Sequence, residues 1–289
     1  MALTFFSVTD PFAKPGNNTQ VFGINATGQI VGGYVDNLNK EHGFLYTAGT
    51  YVTLDVPGAT FTEAFGINSS GQIVGTFFDK NFNEHSFLFS NGSFTTIDNP
   101  NPAATLTEAR GIDSSGNIVG ILSGSGDHAF VRLANGGFFR TDPPGAIRAD
   151  GLGINDTGQL VGDFATSNIG FHGYVQINGE FTPLDDPVTG AFDTSAEGVN
   201  NAGQVVGSYA LGSNFHGFLY SGGANGQFTT IDRPGVAAMG LSALMIVASW
   251  SVSALWTVSL LRRYPLPDRR RSSAPPSMHQ FRASSIATP

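Results

Sequence analysis

Gly23-Ile24-Asn25-Ala26-Thr27-Gly28-Gln29-Ile30-Val31-Gly32 decides how this chain is read, because the same pattern returns from Gly66, Gly111, Gly153 and Gly198. The spacings are 43, 45, 42 and 45 residues, too regular for coincidence. Two further blocks keep step with it. One is His42-Gly43-Phe44, His85-Ser86-Phe87, His128-Ala129-Phe130, His172-Gly173-Tyr174 and His216-Gly217-Phe218, which together use five of the six histidines. The other is a β-branched or aromatic run that reaches Asp55, Asp98, Asp142, Asp185 or Asp232 just before a proline.

Each period reads as four short strands separated by Gly, Asn, Asp or Pro, and no helix fits. In the second repeat the strands are expected at 63–67, 72–78, 86–89 and 94–97. A two-residue period points Ile30, Gly32 and Tyr34 to one face and Val31, Gly33 and Val35 to the other. Asn-x-x-Gly between the first two strands supplies a tight turn, and Asn91-Gly92 is a strong hairpin signal. Four antiparallel strands recurring every 42 to 45 residues predict an all-β fold, a β-propeller of four-stranded blades with five full repeats. A blade cannot bury both faces alone, so neighbours must stack around an axis, with glycines permitting close approach near the centre. A β-solenoid or open β array is the competing architecture.

Phe5-Phe6-Ser7-Val8-Thr9-Asp10-Pro11 resembles Phe94-Thr95-Thr96-Ile97-Asp98 with its proline, so the chain opens on an isolated fourth strand expected to complete a last blade. A sixth repeat should then begin near residue 242. Instead residues 241–261 read Leu-Ser-Ala-Leu-Met-Ile-Val-Ala-Ser-Trp-Ser-Val-Ser-Ala-Leu-Trp-Thr-Val-Ser-Leu-Leu. Joining the third base of each codon to the first two of the next changes the picture. Met245 to Ile246 must then give Asp, and the junctions from Ser242 to Val252 permit Gly-Ile-Asn-Asp-Arg-Gly-Gln-Leu-Val-Gly, 44 residues after Gly198. Trp256 to Ser259 permits Asp-Gly-Phe. We therefore hypothesise a frame shift between Val236 and Ser242; coding DNA with no repeat in the shifted frame sinks it. The rival reading of 241–261 is a transmembrane helix followed by Arg262 and Arg263, although six of its 21 residues are Ser or Thr. The domains expected are 1–239, the repeat region, and 240–289, an atypical, disordered or out-of-frame tail.

Composition supports that boundary. Residues 1–239 hold 8 basic and 21 acidic side chains, 37 of 38 glycines and 23 of 24 phenylalanines, whereas 240–289 hold 6 basic and 1 acidic. The acidic repeat region repels phosphate backbones, which argues against nucleic acid. With no cysteine, disulfide scaffolds, thiolate metal sites and cysteine nucleophiles are excluded. The first ten residues carry no positive n-region and no secretory apolar run.

Candidate residues divide into repeated and unrepeated ones. His42, His85, His128, His172 and His216 sit once per blade on separate radii, so convergence on one metal is not expected, and each is assigned a strand-end hydrogen bond. Asp55, Asp98, Asp142, Asp185 and Asp232 are assigned to turn architecture, as are Asn25, Asn68, Asp113, Asn155 and Asn200. No EF-hand-like calcium loop, nucleophile elbow, zinc helix or phosphate loop is present, so no catalytic residue, metal or cofactor is expected. Specificity should lie where one repeat departs from the rest. The third does so in charge, adding Arg110, Arg132, Arg140 and Arg148, candidates for an anionic ligand or acidic glycan. Asp185, Asp186 and Asp193 form a second local cluster with no demonstrable opposite carboxylate.

With the His-Gly-Phe blocks downstream of Gly-Ile-Asn-x-x-Gly-Gln-Ile-Val-Gly, the chain resembles the HAF repeat family of bacterial proteins over about residues 4–235. The resemblance implies a tandem β-repeat of extracellular or cell-surface location, with no general activity to carry onto particular residues. The function expected is a non-catalytic propeller scaffold, a monomer, whose ligand is a glycan or a protein. A propeller glycoside hydrolase or lyase, and a nonfunctional truncated product, are the alternatives.

Overall fold

The computed structural model describes residues 4–6, 8–15, 19–101, 104–167, 170–223, 226–232 and 256–258. A short β1 (Thr4–Phe6) precedes the repeats. Blade 1 is β2 (Thr19–Ile24), β3 (Ile30–Val35), β4 (Glu41–Thr47) and β5 (Thr50–Leu54), and blade 2 is β6 (Phe61–Ile67), β7 (Ile73–Phe78), β8 (Glu84–Ser90) and β9 (Ser93–Thr96). Blade 3 is β10 (Leu106–Ile112), β11 (Ile118–Ser123), β12 (Asp127–Arg132) and β13 (Phe138–Arg140). Blade 4 is β14 (Arg148–Ile154), β15 (Leu160–Ala165), β16 (His172–Ile177) and β17 (Glu180–Leu184). Blade 5 is β18 (Ala191–Val199), β19 (Val205–Leu211), β20 (Asn214–Ser221) and β21 (Gln227–Ile231), and β22 (Trp256–Val258) lies in the tail. Within every blade the strands pair antiparallel in chain order, and the whole is a five-bladed β-propeller.

The turn chemistry accounts for the strand breaks. Asn25 Oδ1 accepts the amides of Thr27 and Gln29 at 3.1 and 3.0 Å, closing the first turn of blade 1, and Asn68, Asn155 and Asn200 do the same in theirs. Asn91 and Gly92 both take positive φ, 51° and 77°, as a two-residue hairpin turn requires.

The first strands of successive blades pack on one another, so they line the axis and the fourth strands form the rim. The core lies between blades. Val31 and Leu54 of blade 1 pack into Ala64, Ile67, Ile73, Phe77 and Phe87 of blade 2, while Ile30 and Tyr34 turn to the opposite cluster with Val21 and Phe44. That split is the alternation read from the sequence. The same arrangement repeats at the three following junctions. Fully burying a side chain such as Leu54 is worth about 1.5–3 kcal/mol, available only once the next blade is present. Near the axis a Cβ on Gly66 would lie 3.2 Å from the Gly111 Cα and 2.7 Å from the Arg110 carbonyl oxygen, a closeness only glycine permits.

The opening strand pairs with none of the five blades: β1 pairs in parallel with β22 in a separate two-stranded sheet, while Val8 beyond it packs on the cluster of blade 1. Its antiparallel partner would be the third strand of a sixth repeat, and the residues after 241 do not carry that motif. The expected boundary at 239 lies outside the described residues. So does the candidate membrane span 241–261, apart from the strand at 256–258; no helix among the described residues is long and apolar enough to cross a membrane.

Candidate functional site

Because strands alternate in direction, two sets of loops share each end of the propeller. The loops from second to third strand, and the linkers from one blade to the next, emerge together at one axial end. The repeated histidines open the third strands there, and the repeated aspartates follow the fourth.

They prove to be partners. His Nδ1 meets Asp Oδ2 at 2.7 Å for His42–Asp55, 2.6 Å for His85–Asp98, 2.9 Å for His172–Asp185 and 2.7 Å for His216–Asp232. In blade 3 the His128–Asp142 contact is 3.1 Å without hydrogen-bond alignment, because Arg140 Nε donates to the same Oδ2. The second carboxylate oxygen often accepts the amide after the histidine, as Asp98 does from Ser86 at 2.8 Å. Imidazole rings stack on the preceding strand's aromatic, Tyr34 on His42 at 5.0 Å and Phe77 on His85 at 5.2 Å. In blade 1 the other ring nitrogen faces Asp36 Oδ2 at 3.3 Å, so both nitrogens of His42 are taken. Sequence reading assigned the two columns separately; the pairing across strands three and four was not visible to it. No group of three or more His, Asp or Glu among the described residues is arranged to hold a metal ion.

The asparagine column works between blades. Asn25 Nδ2 donates to the Asn68 carbonyl at 3.0 Å, Asn68 to that of Asp113 at 2.8 Å, and Asn155 to that of Asn200 at 2.8 Å. Asp113 has no amide to donate. The step from blade 3 to blade 4 is carried instead by the Ser114 amide on Asp156 Oδ1 at 2.7 Å, and Asn201 Nδ2 reaches Asp156 Oδ2 at 2.7 Å. Burial of Asp156 is outweighed by these donors, leaving its carboxyl below the ordinary range.

The four arginines do not converge. Arg110 on β10 pairs with Glu108 and lies 4.1 Å over the Phe65 ring; Arg148 on β14 pairs with Asp127 at 3.0 Å and lies 5.1 Å over Phe171. Arg132 on β12 covers Phe138, and Arg140 on the outer β13 pairs with Asp142. They run from axis to rim.

What sequence reading missed lies near the axis. Asp163 is buried on β15, accepts the Ser195 hydroxyl at 2.7 Å, and has its carboxyl pushed well above the usual range, first by burial and then by the charge of Asp150 across the strand pair. Glu197 on β18 is pushed up to about 7 by burial, against a 2.7 Å bond from the Ser208 hydroxyl and the charge of Arg110. Asp163 is the lone polar side chain of Leu160–Ala165, and Glu197 sits between Ala196 and Gly198; an acid set among apolar and small residues was the available signal.

The second missed feature is at the loop end. Phe12, Leu38, Phe82, Ile147, Phe192 and Phe215, all strongly exposed, fall in or beside the linkers and second-to-third-strand loops. Phe82 is 63% exposed and holds φ = 62°, a conformation that bulky side chains resist. Asp79 clamps it there, Oδ1 accepting the amides of Asn81 and Asn83 at 2.7 and 2.9 Å; these and the Asn83 side chain hold the Asp79 carboxyl down at about 2.

No family model matches the chain, and no curated protein does. Among solved structures, TolB from Acinetobacter baumannii aligns with TM-score 0.58 at 15% identity, over 74% of this chain and 54% of that one. This chain thus spans about half the length of that neighbour. The SapL1 lectin, solved in complex with alpha methyl fucoside, aligns at 13% identity over 75% of this chain and 81% of its own, TM-score 0.49. The six-bladed fucose-recognising lectin of the fungus Aleuria aurantia aligns at 14% identity over 78% and 82%, TM-score 0.46. At such identities the likeness shows the fold alone.

Proposed function

We propose that this chain is a non-catalytic propeller scaffold of the HAF repeat kind that binds a glycan or a protein surface on the axial end bearing the linkers and the second-to-third-strand loops. One observation carries the reading: exposed phenylalanines gather at that end while the repeated His, Asp and Asn side chains are spent holding strands and blades together. Aromatic faces exposed beside fixed polar groups suit the apolar face of a sugar or the core of a protein contact. The backbone strain at Phe82 supports the assignment, since a solvent-exposed ring kept in an unfavourable conformation is more readily explained by contact than by packing.

A second reading has its own support. Glu197, held near 7, with Asp163 shifted upward by the same burial, is the kind of acid pair that glycoside hydrolysis or β-elimination uses. A glycan array on the intact chain, repeated with Phe82→Ala and Phe215→Ala and joined to a turnover assay on each retained glycan, separates the two. The scaffold reading expects retention without turnover, weakened by the phenylalanine changes. Turnover abolished by Glu197→Gln and untouched by Phe82→Ala would replace it with the enzyme.

A further inference from the structure

We propose that the face between blade 5 and blade 1 is the seat of a sixth blade of the same repeat, whose first turn, second strand and opening of the third strand are encoded by the codons of residues 242–259 in the adjacent reading frame. The blade 1 side shows what should precede it. Asp10 N donates to Thr19 Oγ1 at 3.0 Å, as Asn99 does to Thr107 at 2.9 Å and Asp186 to Thr194 at 3.4 Å. Lys14 N bonds the Val35 carbonyl at 2.8 Å, as Thr60 does that of Phe78 at 2.9 Å and Ile147 that of Ala165 at 2.8 Å. Val8 packs on blade 1 as Leu54 packs on blade 2. Residues 8–14 therefore form a blade-to-blade linker, and elsewhere each such linker leaves a blade's fourth strand. The cluster of blade 1 contains that linker residue but no counterpart of Val31, the second-strand residue blade 1 lends to blade 2.

On the other side the contacts between blades stop among the described residues. A Cβ on Gly153 would lie 3.2 Å from the Gly198 Cα, continuing the approach that joins Gly66, Gly111 and Gly153; on Gly198 it meets only Val206 within 4 Å among the described residues. Asn200 Nδ2 reaches its own Gln204 at 2.9 Å and, among the described residues, no carbonyl of a further blade. The described strand of the tail does not supply the right pairing. β22 runs parallel to β1, whereas every neighbour within the five blades is antiparallel. The shifted frame does permit it: Gly-Ile-Asn-Asp-Arg-Gly-Gln-Leu-Val-Gly falls in period after Gly198, and Asp-Gly-Phe follows it, a few residues earlier than the histidine block stands in the five repeats. A repeat unit of this kind carries the glycine, asparagine and strand-two valine that both faces lack.

The test begins with the coding DNA across residues 236–259. The proposal expects the repeat motif in the shifted frame, and any other sequence there overturns it. The full chain and its frame-restored counterpart are then compared by hydrogen exchange and thermal unfolding. Restoration should slow exchange in both β2 and β18 and raise Tm by about 4 °C or more; unchanged exchange in both strands overturns the seat. Gly198→Val provides the control. It should be tolerated in the chain as it stands and should abolish the gain in the restored one; a loss in the present chain as large as that from Gly153→Val means the seat is already filled, against the proposal. A dimer in sedimentation that shows the restored level of protection would name a second copy as the occupant and overturn it as well.

Discussion

Phe82 is the residue at which local conformation and exposure disagree most. Blade 1 places Asn39 at the same turn position with φ = 63°, and asparagine tolerates that region where phenylalanine does not. Phe82→Asn should therefore raise stability by about 1 kcal/mol, read as a higher urea midpoint at constant slope, while weakening retention on the glycan array. Glu197 makes a second residue-level prediction. An unfolded glutamate titrates near 4.5 and the folded one at about 7, so between those values the folded chain keeps a proton the unfolded chain has lost. Its contribution is complete below about 4.5 and disappears as pH rises through 7, and Asp163 is shifted in the same direction. Stability should fall by about 2–3 kcal/mol between pH 5 and pH 8, and Glu197→Gln should remove much of that slope in pH-dependent melts.

At the scale of elements, the question is what joins one four-stranded sheet to the next beyond apolar contact. The buried asparagine does so with a donor aimed at a neighbouring carbonyl, and it also closes its own turn. Asn68→Ala should cost about 2–3 kcal/mol, whereas Asn200→Ala, with no described carbonyl of a further blade to lose, should cost less. Blade 3 tests the converse. Asp113 accepts from Asn117 Nδ2 at 2.8 Å where the other blades pair Asn with Gln, so Asp113→Asn together with Asn117→Gln restores a donor toward the Asn155 carbonyl. A gain of about 1 kcal/mol in chemical unfolding is expected from the double change; Asp113→Asn alone should gain less, since two amides then face each other.

For the molecule as a whole, stability is divided among junctions between blades, as in any stacked repeat. Blade 3 is flanked by described blades on both sides and blades 1 and 5 on one. Native-state hydrogen exchange should then find β10 and β11 slowest and β21 among the fastest strands of the blades. Equal protection throughout would mean that the ring unfolds as one unit.

Blade number, strand direction and the alternation of Ile30 and Val31 could all be read from the sequence, because each depends on residues close together in one period. The His–Asp pairing could not: its members are 13 to 16 residues apart on strands whose register only the folded blade sets. Nor could the acids at the axis, whose protonation follows from burial and from charges on other strands and blades. Local period and turn chemistry are properties of the chain itself, and they were enough to specify a blade. Which side chains face one another and which carboxyl is shifted by burial depend on distances between parts remote in sequence, and only the tertiary structure decides those.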